Sequence, residues 1–272
     1  MGRIQKTAQQ AAQQQKKLLI PYLVAGDPNL ATSLQLMQQL VEQGADIIEL
    51  GIPFSDPSSD GPVIQRGVER ALAKGTSLSD TLSLVKQFRQ DNEHTAVVLM
   101  GYLNPIEIMG YQRFVDTAKD AGVDGVLIVD MPPAESHNLH SMLQAAAIDT
   151  IYLVAPTTRD SRAKEIAALS TGYLYYVSLK GVTGAALTDY DSVRDNIAAL
   201  RKLTDLPIVI GFGIKDAQGA AAMAGCGDGV VIGSALVDKI AELPDSETHA
   251  ETALSASSSI IGLARQAIDK VK

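Results

Sequence analysis

The sequence predicts an α/β fold, a single (β/α)8 TIM barrel with one extra helix at its N-terminus. Three observations carry that prediction. Short apolar runs alternate with helical stretches eight times along the chain. The runs are apolar at nearly every position, as in a parallel sheet covered by helices on both faces. The length of 272 residues suits one barrel of about 250 residues, although length alone also admits two smaller domains. A doubly wound open sheet is the competing architecture, and the absence of GxGxxG after the first strand weakens it. On the barrel reading, residues 1–17 form the extra helix, 18–242 the barrel and 243–272 a C-terminal helix.

The elements follow in order. Residues 4–17 are polar and Gln-rich, and good helix formers dominate, so a short helix precedes the repeat; a frayed tail is the alternative. The first strand covers 18–25, followed by Gly26-Asp27-Pro28-Asn29 and a helix over 30–43. The second covers 46–50, then a Gly/Pro/Ser/Asp loop, then helical sequence to about residue 91. Strands three to five cover 96–100, 125–129 and 150–154, with helices near 111–121, over 134–146 and over 159–169. Strands six to eight cover 173–177, 206–210 and 229–232, with helices over 191–202, 216–224 and 234–242. A last helix spans about 250–270. Ser-rich 255–259 reads as a helix start or loop, not as a linker.

Composition excludes several classes of function. A formal net charge of -8 argues against nucleic acid as the main partner. No apolar stretch reaches the roughly 18–20 residues that span a bilayer. The N-terminus lacks the apolar core of a secretory signal, and its Gln-rich, Arg-poor character does not suit a transit peptide, so the expected location is cytoplasmic. Cys226 is the single cysteine and reads as a buried spacer. His137 and His140 lie three apart on an expected helix but have no third ligand at suitable spacing, so no metal is expected.

A barrel of this kind places its chemistry at strand C-termini and in the loops that follow them. The unusual polar residues fall there. Glu49 sits inside Ile47-Ile48-Glu49-Leu50, where a carboxylate is costly unless it is paired or put to use. Burial raises a carboxyl pKa, which suits a group that gives and takes a proton near neutrality. The alternative is a structural Glu bonded to a neighbouring hydroxyl. The loop after it, residues 51–62, carries Asp56 and Asp60 among Gly and Pro. It reads either as a lid or as an ordinary turn in which Asp60 caps the helix entered through Gly61-Pro62. A Gly-rich loop runs from Ser178 to Ala185. Gly211-Phe212-Gly213-Ile214 and Gly233-Ser234-Ala235 follow the last two strands, where barrels commonly hold phosphate on backbone N–H groups and a helix dipole.

These residues carry a resemblance. Glu49-Leu50-Gly51-Ile52-Pro53-Phe54-Ser55-Asp56-Pro57, then Asp60-Gly61-Pro62 and Ile64-Gln65, resembles the signature of tryptophan synthase alpha subunits. Supporting pieces are Ala25-Gly26-Asp27-Pro28, Tyr102 with Asn104-Pro105, Asp130 with Pro132-Pro133, Gly181-Val182-Thr183-Gly184 and Gly211-Phe212-Gly213-Ile214. They keep the family's order and span about residues 18 to 240.

The resemblance implies a lyase of tryptophan biosynthesis that splits indole-3-glycerol phosphate into indole and glyceraldehyde 3-phosphate, without a cofactor. It also implies a beta-subunit partner in an alpha2-beta2 complex. It makes Glu49 the acid/base group and Asp60 the carboxylate at the indole N–H. Tyr22, Tyr102, Leu127, Val129, Tyr175 and Phe212 then line the substrate pocket, and Thr183 orients the second carboxylate. Gly184, Gly213, Gly233 and Ser234 cradle the phosphate. Ser58-Ser59 depart from the pattern, which has an apolar residue and Ala there, and Gly225-Cys226-Gly227-Asp228 is slightly unusual. Two other readings stay open: a Schiff-base aldolase using Lys180, and a catalytically idle subunit that only binds its partner.

Overall fold

The computed structural model describes residues 1–178, 190–211, 213–244, 246 and 249–271. Its frame is a parallel sheet of β1 (Leu18–Val24), β2 (Ile47–Gly51), β3 (Ala96–Gly101), β4 (Gly125–Ile128), β5 (Asp149–Ile151), β6 (Leu153–Val154), β7 (Leu174–Val177), β8 (Ile208–Gly211) and β9 (Gly229–Ile232). The hydrogen-bonded order is β5-β4-β3-β2-β1-β9-β8-β7-β6. Its two end strands are separated in sequence by Tyr152 alone, so the ring closes through that residue. The fifth run expected over 150–154 is therefore two segments, β5 bonded to β4 and β6 bonded to β7. Tyr152 bridges them. Its carbonyl accepts the Tyr175 N–H at 3.1 Å, and its hydroxyl donates to Ser136 Oγ at 2.6 Å.

Side chains alternate across each strand and create two cores. Ile20, Tyr22, Ile47, Val98, Leu127, Tyr173, Tyr175, Val209 and Val231 fill the barrel. Leu19, Leu23, Ile48, Leu50, Val97, Leu99, Tyr176 and Ile210 face outward against helices. Full burial of one such side chain contributes about 1.5–3 kcal/mol. A one-residue slip would swap the two sets, so register is strongly specified.

The helices described are α1 (Arg3–Gln13), α2 (Leu30–Glu42), α3 (Pro62–Ala73), α4 (Leu78–Asp91), α5 (Leu103–Met109), α6 (Tyr111–Ala121), α7 (Pro133–Ala145), α8 (Asp160–Leu169), α9 (Tyr190–Leu200), α10 (Ala217–Ala224), α11 (Ser234–Ile240) and α12 (Glu251–Ile268). The helical sequence expected to residue 91 is two helices. Gly75 (φ 77°) stops the first, and a capping box of Ser77 and Asp80 starts the second. α5 was not expected. Pro105 lies in its first turn, where proline is tolerated, and Gly110 (φ 84°) separates it from α6.

α1 ends at Gln13, shorter than the 4–17 expected, and is not a frayed tail. Ile4 is fully buried and sits against Gly125. Arg3 pairs with Asp124 at 2.9 Å, and Arg89 holds the same carboxylate at 2.6 Å. α1 thus covers the mouth where the strands begin, and the opposite mouth is left for the site.

Candidate active site

Glu49 points into the barrel because it shares a strand face with Ile47 and Gly51 and alternates with the outward-facing Ile48 and Leu50 on β2. Its register neighbours are Tyr22 on β1 and Val98 on β3. The side chain is 1% exposed. The Tyr173 hydroxyl donates to Oε1 at 2.5 Å, whereas Oε2 is buried with no hydrogen-bond partner among the described residues. Burial pushes the Glu49 pKa from 4.5 up to about 7, against the smaller downward pull of the Tyr173 bond. The hydroxyl bond foreseen for a structural Glu therefore exists. It occupies one oxygen and leaves the other for chemistry.

Three tyrosines surround this carboxyl. Burial, and then the charge of Glu49, raises the pKa values of Tyr173 and Tyr175 well above the ordinary phenol. Tyr22 is raised likewise by burial, then by Asp60 and Glu49, so it lies under the influence of both carboxylates. All three stay neutral at physiological pH. Gly51 and Gly211 make room for two of them. A Cβ at Gly51 would overlap the Tyr22 hydroxyl, and one at Gly211 the Tyr175 hydroxyl. Leu127 is fully buried on β4, and Val129 sits half-buried just beyond it.

Asp60 lies at the end of the loop between β2 and α3. Gly61, not Asp60, is the N-cap of α3, and no side chain caps that helix, which sets the capping reading aside. The Asp60 carboxylate is instead hydrogen-bonded to Tyr102. Burial raises its pKa to about 6, with the Tyr102 bond opposing. Tyr102 also accepts the Ser59 N–H at 3.0 Å and stacks at a tilt on Phe54, ring centres 5.4 Å apart. Burial first, then the Asp60 charge against the bond from Ser59, sets its pKa at about 12. The Ser59 contact is made by the backbone, so the serines at 58 and 59 keep this anchor.

Gly213 follows β8 with φ 77°, and Gly233 and Ser234 open α11. A Cβ on Gly233 would meet the Tyr22 ring at an ordinary 3.5 Å, which places this turn at the same mouth as the carboxylates. Thr183, Gly184 and Phe212 lie outside the described residues, as does Lys180. Among the described residues no cluster of His, Cys, Asp and Glu could hold a metal, and no helix is long and apolar enough to cross a membrane. His140 contacts Thr150 Oγ1 at 3.2 Å.

Sequence reading missed two features. Tyr173 was assigned only to a strand. The signal was available: it shares a strand face with Tyr175, and a buried carboxyl needs a donor. The second is the pair of Asp27 and Arg70, joined at 2.7 and 2.8 Å, which ties the loop after β1 to α3.

A family profile described as "Tryptophan synthase alpha chain" matches residues 8–265. A tryptophan synthase alpha chain of Methylococcus capsulatus is 53% identical over 269 residues, covering 99% of this chain and 100% of the relative. That of Marinobacter nauticus is 49% identical over 271 residues, covering 100% and 99%. The crystal structure of tryptophan synthase subunit alpha from Legionella pneumophila superposes with a TM-score of 0.91 at 42% identity, over 100% of both chains. A tryptophan synthase structure from M. tuberculosis gives 0.86 at 29% identity, over 98% of this chain and 100% of that one.

Proposed function

The chain belongs to the tryptophan synthase alpha chain family, and from that premise we propose that Glu49 and Asp60 divide the work of the family's reaction. The chain is a lyase of tryptophan biosynthesis that cleaves indole-3-glycerol phosphate into indole and glyceraldehyde 3-phosphate. The bond to break joins indole C3 to a carbon that carries a hydroxyl. Glu49 gives its proton to C3, and the ring becomes an indoleninium cation. Asp60 accepts a hydrogen bond from the ring N–H and offsets the positive charge. The hydroxyl then loses its proton to the Glu49 carboxylate. A carbonyl forms on the glycerol carbon, the carbon–carbon bond breaks, and its electron pair returns to the ring. Neutral indole leaves, the aldehyde leaves, and Glu49 is protonated again.

The single observation that supports these roles most is the pair of raised carboxyls. Glu49 near 7 holds both protonation states at neutral pH, whereas Asp60 near 6 is mostly an anion. Tyr22, Tyr102, Leu127, Val129, Tyr175 and Phe212 are the proposed indole and propanol contacts, and Thr183 orients Asp60. Gly184, Gly213, Gly233 and Ser234 are the proposed phosphate cradle. The site calls for neither metal nor organic cofactor, because protonated indole is itself the electron sink. In the proposed alpha2-beta2 complex, set in the cytoplasm, indole passes to the beta subunit.

The test is indole release from indole-3-glycerol phosphate by purified protein, with and without a beta subunit. Release rises when the partner is added. Glu49→Gln lowers it about a thousandfold, within the range that a positioned acid–base group contributes. Absence of release under both conditions, with phosphate binding and folding intact, favours the binding-only subunit instead.

A further inference from the structure

We propose that the cleft between α8 and α9, on the outside of the barrel, binds a small aromatic carboxylate. The outer helices pack side by side from α10 through α12, α2, α4, α6 and α7 to α8. Among the described residues that close series lapses on both sides of α9, and on its α8 side a cavity of about 260 Å3 opens against β6 and β7. Drug-sized sites run to about 300–1,000 Å3, so this one suits a ligand of one or two rings.

Tyr176 lines the cavity on the outward face of β7, opposite in direction to the catalytic-face Tyr175. It is 1% exposed, and its buried hydroxyl has no hydrogen-bond partner of good geometry among the described residues. Native proteins rarely leave such a group without a protein, water or ligand partner. Asn196 shares the cavity and draws the phenol pKa down against the larger upward push of burial. The Asn196 amide donates one N–H to the Ser192 carbonyl at 2.8 Å and lies close to the phenol, but no hydrogen bond of good geometry reaches the Tyr176 hydroxyl among the described residues.

Pro156, Ala163 and Leu200 supply apolar wall. Lys164 and Lys202 also line the cleft, both exposed, and neither ammonium group makes an ion pair or hydrogen bond among the described residues. Among the described lining residues the one acid is Asp160, in the first turn of α8. Two ammonium groups and one carboxylate favour a monoanion over a phosphate dianion. The apolar side chains of the wall favour a ring system. A buried hydroxyl rewards one polar atom on that ring.

The chain contains no Trp, so the fluorescence of 2-naphthoate can be read without indole emission from the protein. Titrating 2-naphthoate into the full chain gives saturable one-to-one binding. That binding is unchanged in Glu49→Gln and in the presence of indole with glycerol 3-phosphate. The double variant Lys164→Glu/Lys202→Glu weakens it at least tenfold, and Ala199→Phe, at an exposed lining position, fills the cleft and abolishes it. Circular dichroism and indole release confirm that these surface variants fold. Four outcomes overturn the proposal: no saturation, equal affinity in both cleft variants, displacement by indole with glycerol 3-phosphate, or equal binding of the neutral 2-naphthylmethanol.

Discussion

Glu49 is held by two opposed forces. An apolar barrel raises its pKa to about 7, and one phenol donor restrains the rise. Its acid form must be present to protonate indole C3, and Asp60, raised to about 6, must be ionised to meet the ring N–H. The rate kcat/KM in the complex with the beta subunit is therefore bell-shaped, with limbs near pH 6 and pH 7. Tyr173→Phe removes the downward pull, so the alkaline limb moves to higher pH while the acid limb stays. A limb that does not move assigns that ionisation to another group. At this scale the sequence was informative about Glu49, because a carboxylate inside Ile47-Ile48-Glu49-Leu50 stands out. It anticipated a hydroxyl beside this carboxyl but did not single out Tyr173, 124 residues away, because only a shared barrel face joins the two.

Elements were legible where one physical rule acted alone. Continuous apolarity marked the strands, and helical spacing marked most helices. The misses arose where rules competed. In α5, Pro105 argues against a helix by propensity, yet proline in a first turn lacks only an N–H that has no partner there anyway. The break at Tyr152 depends on ring closure, which no local pattern records. Asp27 and Arg70 are also a tertiary fact, and they make a testable asymmetry. Asp27 is fully buried, whereas the Arg70 side chain is 31% exposed. Arg70→Met strands a carboxylate without water and costs about 3–5 kcal/mol. Asp27→Asn leaves a guanidinium that can still be hydrated and costs about 1–2 kcal/mol. Burial already raises the Asp27 pKa and Arg70 opposes it, so without Arg70 the carboxyl takes a proton at higher pH. Urea unfolding at pH 8 and pH 5 separates the cases: the Arg70→Met deficit shrinks at pH 5. Equal deficits in the two variants at pH 8 would mean that the difference in burial decides nothing.

The whole molecule is a closed barrel with one mouth covered by α1, and in its apolar interior one carboxyl oxygen has no hydrogen-bond partner among the described residues. That arrangement costs stability in a direction that pH reveals. The folded-state pKa of Glu49, about 7, lies above its ordinary 4.5. Stability linked to this proton is fully present below about pH 4.5 and declines as pH rises through 7, because ionisation then opposes burial. The shift corresponds to about 3 kcal/mol between the two limits. Glu49→Gln removes the titration but keeps an oxygen for the Tyr173 hydroxyl. Its new amide N–H group lacks a partner, an offset of about 1–3 kcal/mol that does not vary with pH. The absolute ranking of the two proteins is therefore open at any single pH, but the slope is not. From pH 5 to pH 8 the stability difference moves in favour of Glu49→Gln by about 2–3 kcal/mol in urea unfolding. A difference that stays flat would place the ionisation of Glu49 outside this range and would remove its exchange between acid and base forms near neutrality. A change of the expected sign, in a variant that releases no indole, would show that the burial that lowers stability is the same burial that prepares the acid.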